Sequence, residues 1–208
     1  MNYNKLSNMT GRSMIEMLGV LAIIGVLSVG GIAAFSQMLE RYKITQTYEQ
    51  INAIAAKLSA VGSEAASYEG LNNKAAIKFG AIPKEAIANA SNGTLTNLFH
   101  GDIIIMSSNM SYIIFYRGLP RDACIYLATQ DWGTKSSTFI KIGVTSIAGF
   151  QQILLPAMHA NNENEQGDVR ANAYAILPAE KTPMSPVDAA KGCSCSSFNT
   201  CVVALKFN

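Results

Sequence analysis

The sequence predicts an α+β fold in which a long N-terminal α-helix packs on an antiparallel β-sheet head. Three observations carry that prediction. Residues 17–35 form an apolar run without a charge, about the length a helix needs to cross a bilayer core. Ile44, Tyr48, Ile51, Ala55 and Leu58 then recur at alternating steps of four and three, with Ile54 and Val61 widening the stripe. That spacing continues the helix as an amphipathic one. Two strand-like runs, 102–107 and 111–116, are joined by Ser108-Asn109-Met110 in the pattern of a hairpin.

The helix is expected from near Ser13 to about Ala60, which at ~1.5 Å per residue makes it ~70 Å long. Glu40, Arg41, Lys43, Gln46, Glu49, Gln50 and Lys57 supply the polar groups around the stripe, whose apolar face must cover something, most simply the sheet of its own head. Gly19, Gly25, Ser28, Gly30, Gly31, Ala33 and Ala34 are small, and small residues let membrane helices approach closely. Each glycine of Gly30-Gly31 costs up to about 1 kcal/mol relative to alanine, so the helix is expected to bend or melt there.

Residues 62–101 are rich in Gly, Ala, Asn and Ser, with one short helical piece at 83–89 opened by Pro83. Pro120 opens a helix that reaches about Ala128, Trp132-Gly133 breaks the chain, and 138–144 returns as a strand. The polar stretch 161–170 reads as an exposed loop, with Glu163 and Glu165 as solvated charges. Ser185 is placed to cap a helix over 185–190 with Pro186 in its first position. Residues 201–207 close the chain as a strand.

Of 208 residues, 49 % are hydrophobic and 14 % charged. Without the apolar anchor roughly 150 to 170 residues remain, enough for one domain with its own core. The net charge is +2 and no Lys/Arg cluster exists to neutralise phosphates, which excludes a nucleic-acid binder. Low charge in such a domain points to surface that ends in subunit contacts. His100 and His159 stand apart from any run of carboxylates or thiols. Neither a Gly-x-Ser-x-Gly elbow nor a phosphate-cradling glycine loop occurs. The expectation is a protein that is not an enzyme and takes no cofactor.

Cys124, Cys193, Cys195 and Cys201 make an even count behind an export-like segment. That reads as two disulfides in an oxidising compartment, with three connectivities open. A thiolate metal site is the rival reading, but neither a second Cys pair nor a His near Cys124 completes a zinc spacing, and no metal is expected.

The beginning of the chain carries the sharpest motif. A short polar leader ends in Gly11-Arg12, and Glu16 is the one carboxylate at the mouth of the apolar run. An acid there is costly unless paired, which makes Glu16 a candidate functional residue. Arg12 and Glu16 are four apart and can pair on one helix face. Two plainer readings compete. One is a secretory signal cut near Ile32-Ala33-Ala34, although the apolar run is long for that and the helical pattern continues past Ala34. The other is a single-pass anchor; Lys5 and Arg12 before it balance Arg41 and Lys43 after it, so charge gives no orientation.

The Gly11–Glu16 arrangement resembles the class III signal of type IV pilins and pseudopilins. In that family a prepilin peptidase cuts after the glycine, and a glutamate is fifth in the mature chain. A cut between Gly11 and Arg12 makes Glu16 that residue. The sequence departs from the family pattern at the first mature position, where Phe, Met, Leu or Val is usual and Arg12 stands here. The stretch from Gly118 through Cys124 to Gly133 looks like the type IVb pilin helix that bears the first disulfide cysteine. The stretch from Ser185 to Cys193 is similar to the segment bearing its partner, and the likeness is to the PilS-like group.

The resemblance implies a Cys124–Cys193 bond closing a C-terminal region, with Cys195 and Cys201 left to each other. Cys193 and Cys195 lie close enough in sequence to exchange roles. In the chain-entropy account a loop of roughly 70 residues closed this way contributes roughly 4 kcal/mol. The implied organisation is a leader over 1–11, a transmembrane and assembly half of the helix over 12–37, its amphipathic half over 38–61, and a head over 62–208. The implied role is structural. A prepilin held in the bacterial inner membrane is cleaved, methylated at its new amine, and polymerised with copies of itself by the pilus assembly machinery. The product is an extracellular filament for adhesion, aggregation or conjugation. Glu16 would meet the Arg12 amine of a neighbouring subunit. A minor pilin, a secretion pseudopilin or a membrane-anchored periplasmic binding domain are the alternatives.

Overall fold

The computed structural model describes residues 9–108, 110–133, 138–147, 150, 158, 168–170, 174–195 and 201–208, with backbone alone at 9–13, 168–170 and 174. The chain divides into two units, Met1–Tyr42 and Lys43–Asn208. Helix α1 (Met9–Ala65) forms the described part of the first unit and opens the second. It begins at Met9 rather than Ser13, ends at Ala65 rather than Ala60, and is helical through Gly30-Gly31. The extra turn at its end rests on two residues. Gly62 leaves the room that the Tyr68 ring occupies, and Ala66 takes a left-handed conformation, φ +54°, that stops the helix.

Eight antiparallel strands form one sheet in the second unit: β1 (Ile87–Asn89), β2 (Thr94–Thr96), β3 (Asp102–Ser108), β4 (Ser111–Leu119), β5 (Phe139–Ser146), β6 (Asp168–Arg170), β7 (Tyr174–Pro178) and β8 (Cys201–Phe207). Their spatial order is β1-β2-β3-β4-β8-β5-β7-β6. The predicted β3–β4 hairpin is present, but Ser108 belongs to β3 opposite Ser111 rather than to the turn, and β4 runs on to Leu119. Strand β8 lies between β4 and β5, with Ile114 and Ile142 both opposite Leu205.

The two faces of the sheet build two cores, as alternation along a strand requires. On one face Tyr112, Ile114, Tyr116, Val203, Leu205 and Ile142 join Ile44, Ile51, Ile54, Ala55 and Leu58 of α1 in a single cluster. Rings run through it from Tyr68 to Tyr112 to Phe207 to Phe139, with centroid spacings of 4.9, 5.3 and 5.5 Å. On the other face Ile113, Phe115, Val202, Ala204 and Ile176 pack with Phe150 and Met158. Burial on both faces explains why β4 and β8 read as near-continuous apolar runs. Of the predicted stripe, Ile44, Ile51, Ile54, Ala55 and Leu58 are buried, Tyr48 and Val61 are half-buried, and two residues are added. Thr47 and Gln50 are also buried; Gln50, counted among the polar surround, sits inside because its Oε1 accepts the Tyr116 hydroxyl at 3.0 Å.

Helices α2 (Asn73–Lys78), α3 (Arg121–Ala128) and α4 (Pro186–Gly192) also belong to this unit. The Ser185 hydroxyl accepts from the Asp188 amide at 3.1 Å and caps α4, as predicted. The Trp132 indole turns back to donate to Leu127 O at 2.8 Å, which is how the chain leaves α3.

Several expectations are corrected. The helical piece at 83–89 shrinks to a single 3₁₀ turn, Lys84–Ala86, because Ile87 leaves it to pair with Leu95. Segment 62–101 holds α2, β1 and β2 rather than one helical piece. The loop expected over 161–170 ends in β6, which pairs with β7; its remainder, with Glu163 and Glu165, lies outside the described residues, as does His159 before it.

Candidate functional site

Sixteen large apolar side chains between Met14 and Tyr42 are 43–75 % exposed, from Leu39 to Val26. Soluble surfaces rarely carry contiguous apolar patches beyond a few hundred Å². At about 1.5–3 kcal/mol for each such side chain, removing this surface from water is worth on the order of tens of kcal/mol. The helix is long and apolar enough to cross a membrane. Two of its hydroxyls are satisfied within the helix: Ser28 donates to Ile24 O at 2.7 Å and Ser36 to Ile32 O at 3.0 Å. That internal pairing is what an apolar medium demands of a polar side chain. A Cβ added at Gly19, Gly25, Gly30 or Gly31 would meet nothing within 4 Å, so the glycines leave backbone open along this segment.

Gly11 and Arg12 lie in the first turn of α1, and Glu16 follows one turn later, exposed. Among the described residues Glu16 has no partner. The helical backbone puts positions 12 and 16 on one face. Arg12, one turn before it, is the cation nearest to Glu16 in sequence.

The four cysteines lie in the second unit. Cys124 of α3 is joined to Cys193 at the end of α4, with 5.9 Å between Cα atoms, and Cys195 is joined to Cys201, the first residue of β8. Cys124, Cys193 and Cys201 are fully buried. The first bond staples α3 to α4, and the second holds the entry of the central strand. Close packing supports the staple, since Gly192 brings α4 so near the sheet that a Cβ there would stand 2.5 Å from Val144 Cγ2 and 2.8 Å from Ala175 Cβ.

No group of three or more His, Cys, Asp or Glu that could hold a metal ion occurs among the described residues. His100 sits exposed in a left-handed turn, φ +64°, held by the Asn97 carboxamide, which accepts from the amides of Phe99 at 2.8 Å and Gly101 at 3.1 Å. Burial pushes the Tyr112 and Tyr116 phenols above the ordinary tyrosine range, and both are structural. Sequence reasoning missed the asparagines that organise the loops. Asn72 caps α2 by accepting from the Ala75 amide at 3.1 Å, and Asn73 bridges α2 to the sheet. An Asn-Asn pair just before Lys-Ala-Ala was the available signal.

The PilS N-terminal family is matched over residues 41–171, more than half of the chain. The chain belongs to the PilS family. The match covers the end of α1 and the chain as far as β6, and it includes the Gly118–Gly133 stretch from which the PilS-like resemblance was read. No curated protein matches the chain. As a member it is a type IV pilin-related protein, of a family that is structural rather than enzymatic, and its apolar N-terminal helix is compatible with membrane anchoring.

Proposed function

We propose that this PilS-family chain is a type IVb pilin subunit. Residues 1–11 are a leader removed between Gly11 and Arg12 by a prepilin peptidase. The helix over 12–37 holds the subunit in the inner membrane with its head on the periplasmic side, then moves into the core of an extracellular filament of identical copies. The observation that carries this reading is the exposed apolar length of α1 with Glu16 as its one charge after Arg12 and before Glu40. Nothing in the described chain covers that surface. Lipid covers it before assembly and the same helix of neighbouring subunits covers it afterwards.

Glu16 supplies direction to the exchange. An unpaired acid at the bilayer centre costs about 2.5–3.5 kcal/mol on insertion scales, and less near the interface. Meeting the Arg12 amine of an adjacent subunit relieves that cost and sets the register of addition. Arg12 in the first mature position brings two positive charges, its amine and its guanidinium, to one carboxylate.

The test is the mass of the mature protein in its native host together with filament yield from a Glu16→Ala variant. A chain that begins at Arg12, with Glu16→Ala inserted in the membrane but absent from sheared filaments, is the expected result. A native chain that begins at Met1, or normal filaments from the variant, overturns the proposal. Traces of the chain in filaments built mainly of another subunit would mark a minor pilin.

A further inference from the structure

We infer that Asn92 is a site of spontaneous deamidation whose product unlatches the β1–β2 hairpin from helix α2 and the edge of β3. Asn92-Gly93 is the single Asn-Gly pair in the sequence. It lies in the turn between β1 and β2, where residues 88–92 and Thr94 are all exposed, so water and hydroxide reach the Asn92 side chain. Among the described residues the Asn92 carboxamide has no partner to hold it. Its backbone is held, since its amide donates to Asn89 Oδ1 at 3.1 Å. The next residue has no Cβ to obstruct its own nitrogen, and its φ of +74° is one that a side chain would strain.

The chemistry needs only water. The Gly93 backbone nitrogen, losing its proton to base, attacks Cγ of Asn92; the new C–N bond forms, the Cγ–Nδ2 bond breaks, and ammonia leaves. Water then opens the five-membered imide at either carbonyl. One opening gives aspartate in the normal chain; the other gives isoaspartate, in which the backbone runs through the side-chain carbon and is one methylene longer. No enzyme, oxidant or filament is required, so this inference does not depend on the assembly reading.

The structure shows why an added methylene matters here. The carbonyl of Gly93 accepts from Asn73 Nδ2 at 2.9 Å, and the same Nδ2 donates to Ile103 O at 3.0 Å. Asn73 Oδ1 accepts from the Ile105 amide at 2.7 Å. One carboxamide thus occupies the outer edge of β3 as a strand residue would, and Gly93 holds it there. There is no slack at that point, since a Cβ on Gly93 would stand 2.6 Å from Lys74 Cγ and 3.3 Å from Lys74 N. Lengthening the chain beside Gly93 displaces its carbonyl, frees Asn73 to turn, and opens the Ile103–Ile105 edge of β3.

The test uses the full chain in detergent, aged in mildly alkaline buffer made with heavy-oxygen water. Peptide mass spectrometry with fragmentation that separates aspartate from isoaspartate then locates the change. Conversion concentrated at Asn92, carrying the heavy oxygen and abolished in Asn92→Gln, is expected; conversion elsewhere with Asn92 intact overturns the site. Hydrogen exchange at the Ile105 amide tests the latch, with freshly made Asn92→Asp as the control that gains the charge and keeps the normal linkage. Faster exchange in the isoaspartate form alone is expected. Equal protection in all three proteins overturns the unlatching.

Discussion

The Tyr112 hydroxyl donates to the carbonyl of Ala55 at 2.9 Å, so a side chain from the middle of the sheet closes on the backbone of helix α1. The same oxygen lies 2.8 Å from Ser59 Oγ, which donates to it. Tyr112→Phe keeps the ring stack on Phe207 and removes both bonds. The expected loss is about 1 kcal/mol per bond at most, since Ser59 is half-buried and turns to water. Chemical unfolding of the detergent-solubilised chain measures it. Unchanged stability would mean that these bonds contribute nothing net.

Alkaline pH tests the same core more broadly. Burial raises the phenols of Tyr112 and Tyr116 above the ordinary tyrosine value of 10.0. Below that value both phenols are protonated whether the chain is folded or not, and the folded state keeps its full stability. Above it the unfolded chain sheds protons that the folded chain retains, so stability falls as pH rises through and beyond 10.0. Each phenol contributes a slope of up to about 1.4 kcal/mol per pH unit. Melting temperatures across the alkaline range are expected to fall less steeply for Tyr116→Phe than for the parent.

The two disulfides differ in the chain they constrain. Cys124 and Cys193 are 69 residues apart, Cys195 and Cys201 only 6. In the chain-entropy account these loops are worth roughly 4 and roughly 2 kcal/mol. A Cys124→Ser/Cys193→Ser pair is therefore expected to lower the unfolding midpoint more than Cys195→Ser/Cys201→Ser. The reverse order, measured under identical conditions, would place the greater constraint at the entry to β8.

Gly192→Ala tests the close approach of α4 to the sheet. Its methyl would have to displace Val144 and Ala175, both buried. Overpacking of this kind costs about 1–3 kcal/mol. A melting temperature within error of the parent would show that α4 can lift away from the sheet at little cost.

Much of the architecture is legible where periodicity had room to show itself. The stripe from Ile44 to Leu58 spans four turns of helix, and the β3–β4 hairpin repeats the strand pattern on both sides of a short turn. The Ser185-Pro186 start of α4 is chemical, a hydroxyl acceptor followed by a residue with no amide to satisfy. Strands β1, β2 and β6 are three residues each, too short for a period of two to be told from chance. Gln50 was misjudged because what buries it, Tyr116, lies 66 residues away in sequence. The N-terminal motif is legible for a different reason: Gly11, Arg12 and Glu16 carry their message in spacing. The Asn73 bridge was hidden, because its three partners belong to loops and strands that only the fold brings together.

The position of β8 carries a last consequence. Strands β4 and β5 are neighbours in sequence, yet each hydrogen-bonds to β8 and not to the other. A chain interrupted before Cys201 would lack the strand that both β4 and β5 pair with, leaving two open edges and no bond between the two halves of the sheet. Strand β8 is thus the keystone on which the continuity of the sheet depends.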